Sequence, residues 1–479
     1  MTDVLVLANE HVNRRMAGPS IRSYEFARVL SADGHRVTLA SPFPSDLPPQ
    51  PFSVTTYDAS SLPALVAQHR VVVLQGWVME RFPMLREADV RLVIDLYDPF
   101  PLEVLILFGK EAMEKRMQAQ RDSIRAVTDQ VRDGDLFLCA SEKQRDYWLG
   151  WLTAASRVNP LTHQQDPTLR ALIDVVPFGV PAKPPRRQRP AIRKVIDGVG
   201  EDDLVVLWGG GIYNWFDPVT LIRGVGIAAQ SLPRLRLVFM STGHPNPEIQ
   251  TMWTQVEARR VAAELGLVGT HVFFNESWVA YEDRADWLLD ADIGVSTHFD
   301  HVETRFSFRT RILDYFWAGL PVICTAGDTL ADDIERLSIG VTVVPESPEA
   351  VAQALVELGG DAARRAACGA RSAAHAASLT WPAVAAPLRR FCAGPQPAAD
   401  RGPGRARLPV PFTPTRDDIA GAPETFPAAG APPSRPGLPY RALRSAYRAL
   451  PSEIRRSRRF SSARARVLRI LGRSGERRR

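Results

Sequence analysis

The sequence has few cysteines and no long apolar run. Its four cysteines, among 479 residues, have spacings that fit no zinc motif, so we expect reduced thiols in a reducing compartment. No uninterrupted apolar stretch approaches the roughly 20 residues that a membrane-spanning helix needs. The N-terminus reads as a β-strand and lacks the charged and apolar regions of a signal peptide. Together these absences predict a cytoplasmic protein.

Basic charge is scarce outside the C-terminus. The chain carries +6, but residues 441–479 contain 14 arginines and two glutamates, so this segment alone carries +12 and the rest is net acidic. A folded nucleic-acid-binding domain needs a basic face of its own, so we expect no nucleic-acid partner. Leu443, Tyr447 and Leu450 lie at helical spacing among the arginines, a pattern typical of a helix on an anionic membrane surface. The alternative is a solvated basic tail.

Metal-ligand clusters are missing as well. The nine histidines form no group with metal-ligand spacing, so we expect neither a bound metal nor another cofactor.

Strands and helices alternate twice along the chain. Apolar strands such as Val4–Ala8 and Leu136–Ala140 alternate with helices in the first part, including one long helix from about Leu102 to Val131. A second alternation begins with the strand Leu204–Trp208. This pattern predicts an α/β protein with two Rossmann-like, doubly wound domains and a ligand cleft between them. The predicted boundaries are a domain over 1–180, a linker over 181–203, a domain over 204–394, a disordered Pro/Gly/Ala-rich linker over 395–440 and a basic amphipathic tail over 441–479.

One segment, residues 303–322, concentrates charge at the start of a predicted helix. Arg305, Arg309 and Arg311 fall within seven residues, and Asp314 follows them. The N-terminus of a helix attracts anions, so cations gathered there repel one another unless an anion is bound. A phosphorylated ligand would remove that repulsion, and Asp314 could then accept hydrogen bonds from a ribose. The alternative is a surface helix with solvated arginines.

The same segment resembles the donor site of glycosyltransferase family 4 (glycosyltransferase group 1), which are retaining enzymes of the GT-B fold. The similarity covers roughly residues 1–394 and follows the family's order of motifs. It consists of Gly18-Pro19-Ser20-Ile21-Arg22, Gly34-His35-Arg36-Val37, Ala140-Ser141-Glu142, Gly209-Gly210-Gly211 and Arg311 to Val322 with Asp314, Gly319 and Pro321.

The resemblance implies transfer of a sugar from a nucleotide-diphosphate sugar to a glycan or lipid-linked acceptor, with retention and without metal. The basic amphipathic pattern of residues 441–479 suggests in addition that the protein binds peripherally at the inner face of the membrane. The catalytic candidates are Glu303 and Asp98. The donor-binding candidates are Gly210, Gly211, His298, Arg305, Arg309, Arg311, Asp314 and Gly327. The acceptor-binding candidates are Gly18, Ser20 and Arg22.

Three departures from the family pattern bear on activity. The family's first acid, eight residues before Asp314, is Phe306, and Glu303 is the candidate substitute. The basic residues expected near Gly211 and Phe216 are absent, and the arginine cluster could supply their charge. A His-Asp step is replaced by Tyr97-Asp98. Two alternative functions therefore stay open: an inactive sugar-nucleotide-binding protein, and a nucleotide-sugar epimerase of the same fold.

Overall fold

The computed structural model describes residues 1–244, 246 and 251–401, and all of them belong to one compact unit. The predicted basic tail 441–479 and most of the predicted disordered linker 395–440 lie outside the described residues. The prediction of disorder is wrong for the start of that linker. There Asp400 pairs with the buried Arg157 at 2.7 Å, and Ala398 N–H donates to Asp135 at 3.0 Å. The packed part of the chain therefore extends at least to residue 401.

The N-terminal half is built on a sheet of seven parallel strands in the order β3-β2-β1-β4-β5-β6-β7. These strands are β1 Asp3–Leu7, β2 Arg36–Ser41, β3 Ser53–Thr56, β4 Val71–Gln75, β5 Arg91–Asp95, β6 Leu136–Cys139 and β7 Ile173–Val175. Its helices are α1 Gly18–Ala32, α2 Leu62–Ala67, α3 Val78–Arg81, α4 Phe100–Leu107, α5 Met113–Asp133, α6 Glu142–Ala154 and α7 Pro160–Gln165, with a 3₁₀ turn over Pro83–Arg86.

The C-terminal half repeats this arrangement with six parallel strands in the order β10-β9-β8-β11-β12-β13. They are β8 Leu204–Trp208, β9 Leu235–Phe239, β10 Val272–Phe274, β11 Ile293–Ser296, β12 Val322–Thr325 and β13 Gly340–Val343. The helices are α8 Pro218–Ala228, α9 Trp253–Glu264, α10 Arg284–Leu288, α11 Val302–Phe306, α12 Thr310–Ala318, α13 Thr329–Arg336, α14 Pro348–Gly360, α15 Ala362–Ala376, α16 Trp381–Val384 and α17 Ala386–Ala393, with a 3₁₀ turn over Ala377–Leu379.

The predicted pair of doubly wound α/β domains is confirmed. Central strands such as β4, with the sequence VVVLQ, are buried along their whole length, as continuous apolar runs in parallel sheets should be. The predicted single helix over 102–131 is wrong. It is split into α4 and α5, because a turn through Gly109 ends the first helix with a hydrogen bond from Gly109 N–H to Ile106.

Helix α12 is fixed to its sheet by one tyrosine. Tyr315 is fully buried, and its hydroxyl accepts a hydrogen bond from Gly209 N–H at 2.7 Å. The same oxygen lies 2.9 Å from the carbonyl oxygens of Leu207 and Val295. Gly294 has to lack a side chain, because a Cβ there would lie 2.3 Å from the Tyr315 ring. This contact sets the position of the arginine one turn earlier, Arg311.

The last two helices return to the N-terminal half. Trp381 of α16 is fully buried against Phe26 and Phe178, and Thr2 Oγ1 donates to the carbonyl of Cys392 in α17 at 2.8 Å. Residues 381–393 therefore follow the second sheet in sequence but pack on the half that contains the first.

The described part of the chain contains no helix that is both long enough and apolar enough to span a bilayer.

Candidate functional site

The two halves meet at loops that follow the carboxyl ends of their strands. Tyr281 N–H donates to the carbonyl of Arg14 at 2.9 Å, and Trp278 Nε1 donates to the carbonyl of Met16 at 3.2 Å. Arg14 and Met16 follow β1, and the two aromatic residues follow β10. Ligands of open α/β sheets bind at this end of the strands, so the cleft there is the candidate site.

Arg311 is a buried cation that lacks a carboxylate partner among the described residues. It is 8% exposed, and burial lowers the pKa of its guanidinium to about 10, so it stays charged at neutral pH. Its Nη2 donates to the Gly211 carbonyl at 2.7 Å, while Nη1 has no hydrogen-bond partner. The guanidinium lies 3.8 Å from the centre of the Phe216 ring and 4.4 Å from that of Trp208.

These contacts place Arg311 at both positions where basic residues were expected and are missing. Gly211 and Phe216 lie on the loop after β8, and Arg311 reaches them from α12, which connects β11, the neighbour of β8, to β12. An aromatic ring stabilises a desolvated guanidinium by about 2 kcal/mol but does not neutralise it. The site therefore holds one uncompensated positive charge.

The other two arginines of the cluster have different surroundings. Arg309 and Glu303 form a buried ion pair, with Nη2 2.7 Å from Oε2. Arg305 is exposed and lies over the Phe306 ring at 6.0 Å. The structure thus brings Glu303, Arg309 and Arg311 together and leaves Arg305 at the surface.

The remaining donor-side candidates line the same strand ends. Gly210 has a φ of 77°, and no atom lies within 4 Å of the place a Cβ would take, so its backbone faces open space. Asp314 is a third exposed and accepts from Arg284 Nε at 3.1 Å. Gly327 is exposed with a φ of 117°. His298 is buried, and its Nε2 lies 3.6 Å from Asp328 Oδ2 without a hydrogen-bond partner.

Asp98, the N-terminal catalytic candidate, is surrounded by carboxylates. Burial first, and then the charge of Asp95, raise the pKa of Asp98 to about 8, and Glu10 and Glu303 act in the same direction while Arg22 opposes them. The Asp98 carboxyl therefore holds its proton near neutral pH and can donate a hydrogen bond.

The raised pKa predicts a pH-dependent stability. An unfolded aspartate has a pKa of about 3.9, so the folded chain alone keeps this proton between about pH 4 and pH 8. The contribution is complete below about pH 4 and is lost as the pH rises towards 8. We expect the melting temperature of the wild type to fall more steeply from pH 5 to pH 8 than that of Asp98→Asn, whose amide cannot ionise. Parallel melting profiles would contradict the raised pKa.

The three acceptor-side candidates do not share one environment. Gly18 opens α1, and a Cβ there would lie 3.7 Å from the Tyr97 hydroxyl, so this helix end borders the Tyr97-Asp98 step. Ser20 is buried, and its hydroxyl has no hydrogen-bond partner. The prediction for Arg22 is corrected. It is fully buried, pairs with Asp95 at 2.6 and 2.9 Å, and donates to the carbonyls of residues 176 and 177. Four of its five N–H hydrogens are therefore used inside the N-terminal half.

The expectation of a metal-free site assumed that the sequence has no Asp-x-Asp pattern, which is wrong: Asp133-Gly134-Asp135 and Asp290-Ala291-Asp292 are two such patterns, and both have structural roles. Asp135 accepts from Leu92 N–H at 2.8 Å, and Asp290 Oδ2 accepts from the N–H groups of residues 191–193 in the predicted linker. Within the described ranges no group of three His, Cys, Asp or Glu side chains is placed to hold a metal ion.

Sequence reasoning missed two side chains at the site. Glu103 of α4 has its pKa raised well above the ordinary value by burial and by Asp98 and Glu303. A lone acid in the apolar stretch PLEVLIL was the available signal. Gln144 of α6 bonds to both halves, and its sequence position carries no such signal.

Comparisons with solved structures identify the architecture. Sucrose-phosphate synthase from Thermosynechococcus elongatus superposes with a TM-score of 0.59 at 16% identity, covering 82% of this chain and 98% of that one. WaaG, a glycosyltransferase involved in lipopolysaccharide biosynthesis, gives 0.56 at 16% identity over 82% and 100% of the two chains. The protein has the GT-B fold. A further structure with this GT-B similarity is Anabaena HepE in complex with UDP-glucose, with a TM-score of 0.55, 14% identity and coverage of 82% and 98%.

Sequence comparisons reach only part of this GT-B chain. No family model matches it. Two curated relatives, both named D-inositol 3-phosphate glycosyltransferase, are 26% identical over 189 residues in Streptomyces scabiei and over 188 residues in Streptomyces avermitilis. The matches cover 40% and 39% of this chain, which spans about two fifths of the length of each relative (41% and 39%).

Proposed function

We propose that the protein is a retaining glycosyltransferase that moves a sugar from a nucleotide-diphosphate donor to an acceptor hydroxyl. The observation that carries the proposal is Arg311, a buried guanidinium with an unused N–H at the N-terminus of α12. Leaving a buried charge unpaired is strongly unfavourable, and a bound anion removes that penalty. The UDP-glucose complex of HepE and the names of the curated relatives support a nucleotide sugar as that anion.

The other residues then take roles that follow from their places. Arg311 and the open backbone at Gly210 bind the diphosphate, and Asp314 binds the ribose from one turn along α12. Glu303, held by Arg309, faces the transferred sugar. The protonated Asp98 donates a hydrogen bond to the same sugar from the N-terminal half. Fixed charges of this kind stabilise the negative charge that develops on the departing nucleotide.

We propose that the reaction needs no divalent ion. Arg311 and the positive end of α12 supply the positive charge that a metal supplies in other transferases. Turnover should continue at an unchanged rate in excess EDTA. Loss of turnover in EDTA that added Mg²⁺ or Mn²⁺ restores would contradict this part of the proposal.

A glycan or a lipid-linked glycan is the acceptor class that we propose. For a lipid-linked acceptor, the 14 arginines of residues 441–479 would add attraction to an anionic membrane, at about 1 kcal/mol for each residue near the surface. Deleting residues 441–479 should then reduce binding to vesicles that contain phosphatidylglycerol. Unchanged vesicle binding would contradict the proposal that residues 441–479 attach the protein to a membrane.

The function is tested by binding and then by product analysis. Calorimetry against UDP-, GDP-, ADP- and dTDP-sugars without metal should identify one nucleotide, and NMR of the product formed with an acceptor glycan should give the same anomeric configuration as the donor. Binding without turnover would favour an inactive binding protein. A changed free nucleotide sugar in the absence of acceptor would favour an epimerase.

A further inference from the structure

Gln144 connects the two halves through a single buried amide. It lies in the first turn of α6 and is fully buried. Its Oε1 accepts from Ala140 N–H at 2.8 Å. Its Nε2 donates to the carbonyl of Tyr97 in its own half at 3.0 Å and to the carbonyl of Phe306 in the other half at 2.8 Å. Both amide hydrogens are thus in use, one for each half.

The two carbonyls lie beside the catalytic candidates. Tyr97 directly precedes Asp98, and Phe306 is three residues from both Glu303 and Arg309. One turn further along α6, the Tyr147 ring packs on the Phe306 ring with centroids 5.2 Å apart. Helix α6 of the N-terminal half therefore holds the short segment of the C-terminal half that carries the Glu303–Arg309 ion pair.

Helix α4 of the N-terminal half also packs against α11, whereas the other hydrogen bonds between the halves lie away from this segment. The bonds of Trp278 and Tyr281 join the loops after β10 and β1, and Lys143 pairs with Asp332 at the exposed surface at 2.9 Å. None of these residues is bonded to the backbone on either side of Asp98 or Glu303. Among the described side chains, Gln144 thus hydrogen-bonds to the backbone near both catalytic candidates, Asp98 and Glu303.

We propose that Gln144 is a positioning residue that sets the alignment of Asp98 against Glu303 across the cleft. The inference rests on the proposed function. The planar amide fixes the separation of the two carbonyls, and each carbonyl fixes the backbone of its neighbouring carboxyl group. A displacement of about 1 Å at a reacting centre can lower a rate about 100-fold. The proposed diphosphate and ribose contacts belong to the C-terminal half alone, so binding of the nucleoside diphosphate does not depend on this alignment.

The position of Phe306 fits this role. The resembled family has an acid at this place in the sequence, whereas here the main-chain carbonyl is bonded to Gln144 and the ring packs on Tyr147. An acidic side chain at position 306 would place a carboxyl group against the Tyr147 ring, where the apolar Phe306 ring now packs. The position at which the family has an acid is therefore a contact between the halves in this chain. Glu303, three residues earlier, is the nearby carboxylate.

The test compares Gln144→Met with the matched control Gln130→Met in the full chain. Gln130 is equally buried, and its amide donates to the Gly76 carbonyl within the N-terminal half. Both variants lose a buried amide, so both should lower the melting temperature. Only Gln144→Met should lower kcat, by tenfold or more, while its calorimetric Kd for the nucleoside diphosphate of the donor stays within about twofold of the wild type. A kcat within twofold of the wild type, or a Kd that weakens as much as kcat falls, would overturn the proposal.

Hydrogen exchange separates this inference from the proposed function, because it needs no substrate. In the absence of ligand, amides of residues 302–309 should exchange faster in Gln144→Met than in the wild type and should be unchanged in Gln130→Met. Equal exchange in all three proteins would show that Gln144 does not hold the segment. Should the wild type turn over no nucleotide sugar, the proposed function fails by itself while the exchange result still decides the role of Gln144.

Discussion

We expect Arg311→Ala to weaken binding of the donor nucleotide by tenfold or more. A tenfold change in Kd corresponds to about 1.4 kcal/mol of binding free energy. The reason is the unused N–H of a desolvated guanidinium that lies against the rings of Trp208 and Phe216. Such a charge attracts a diphosphate more strongly than a surface arginine does, because the effective dielectric constant around it is lower. Calorimetry with the nucleotide sugar selected from the panel measures the change directly.

Arg305→Ala is the matched control, because Arg305 lies in the same cluster but is exposed. It should leave the Kd within about twofold of the wild type. Arg311→Met has a second signature: in the absence of ligand its melting temperature should equal or exceed that of the wild type, because an uncompensated buried charge is removed. Similar losses of affinity in Arg305→Ala and Arg311→Ala would point to a general surface charge effect and contradict a specific diphosphate site.

Arg22→Met has the largest expected effect on stability. The change leaves Asp95 as an unpaired buried carboxylate and frees two backbone carbonyls that Arg22 now bonds. Breaking one side of a buried ion pair typically lowers the free energy of unfolding by about 3–5 kcal/mol. Urea denaturation of the full chain, followed by tryptophan fluorescence, measures the loss.

Arg36→Met provides the comparison, since Arg36 forms the same kind of two-point pair with Asp3 at the surface of the same sheet. Solvent screens this pair, so its loss should be far smaller than that of Arg22. Were Arg22→Met no more destabilised than Arg36→Met, the buried pair could not be a main contributor to the stability of this half.

The regular elements that the sequence predicted correctly are those with strong local signals. Strands such as β4 and β8 are uninterrupted apolar runs, and α15 begins and ends where its composition changes. The strands that were missed are β3 over Ser53–Thr56, β7 over Ile173–Val175 and β13 over Gly340–Val343, and all three lie at sheet edges. One face of an edge strand is only partly covered, so its sequence needs no apolar run.

The site was predictable only where one segment carried the signal. The cluster of arginines before α12 indicated an anion, and Arg311 is the member whose surroundings fit one. The pairing of Arg309 with Glu303 could not be read from spacing, since both were candidates for separate roles. Arg22 and Asp95 are 73 residues apart, and their bond depends on neighbouring strands and α1 meeting in the folded chain. Nothing local in the sequence distinguishes such an arginine from one that binds a ligand.

Over the described residues up to 401, the chain crosses between the halves twice, and the two crossings are bonded side by side. Val180 N–H donates to the Leu379 carbonyl at 2.8 Å, and Trp381 N–H donates to the Val180 carbonyl at 2.9 Å. Gly179 passes so close to Trp381 that a Cβ would lie 2.8 Å from its ring. Two crossings joined in this way cannot bend independently, so they act as a single pivot. A change in cleft width then requires rotation about residues 179–181 and 379–381, and the displacement increases with distance from that axis.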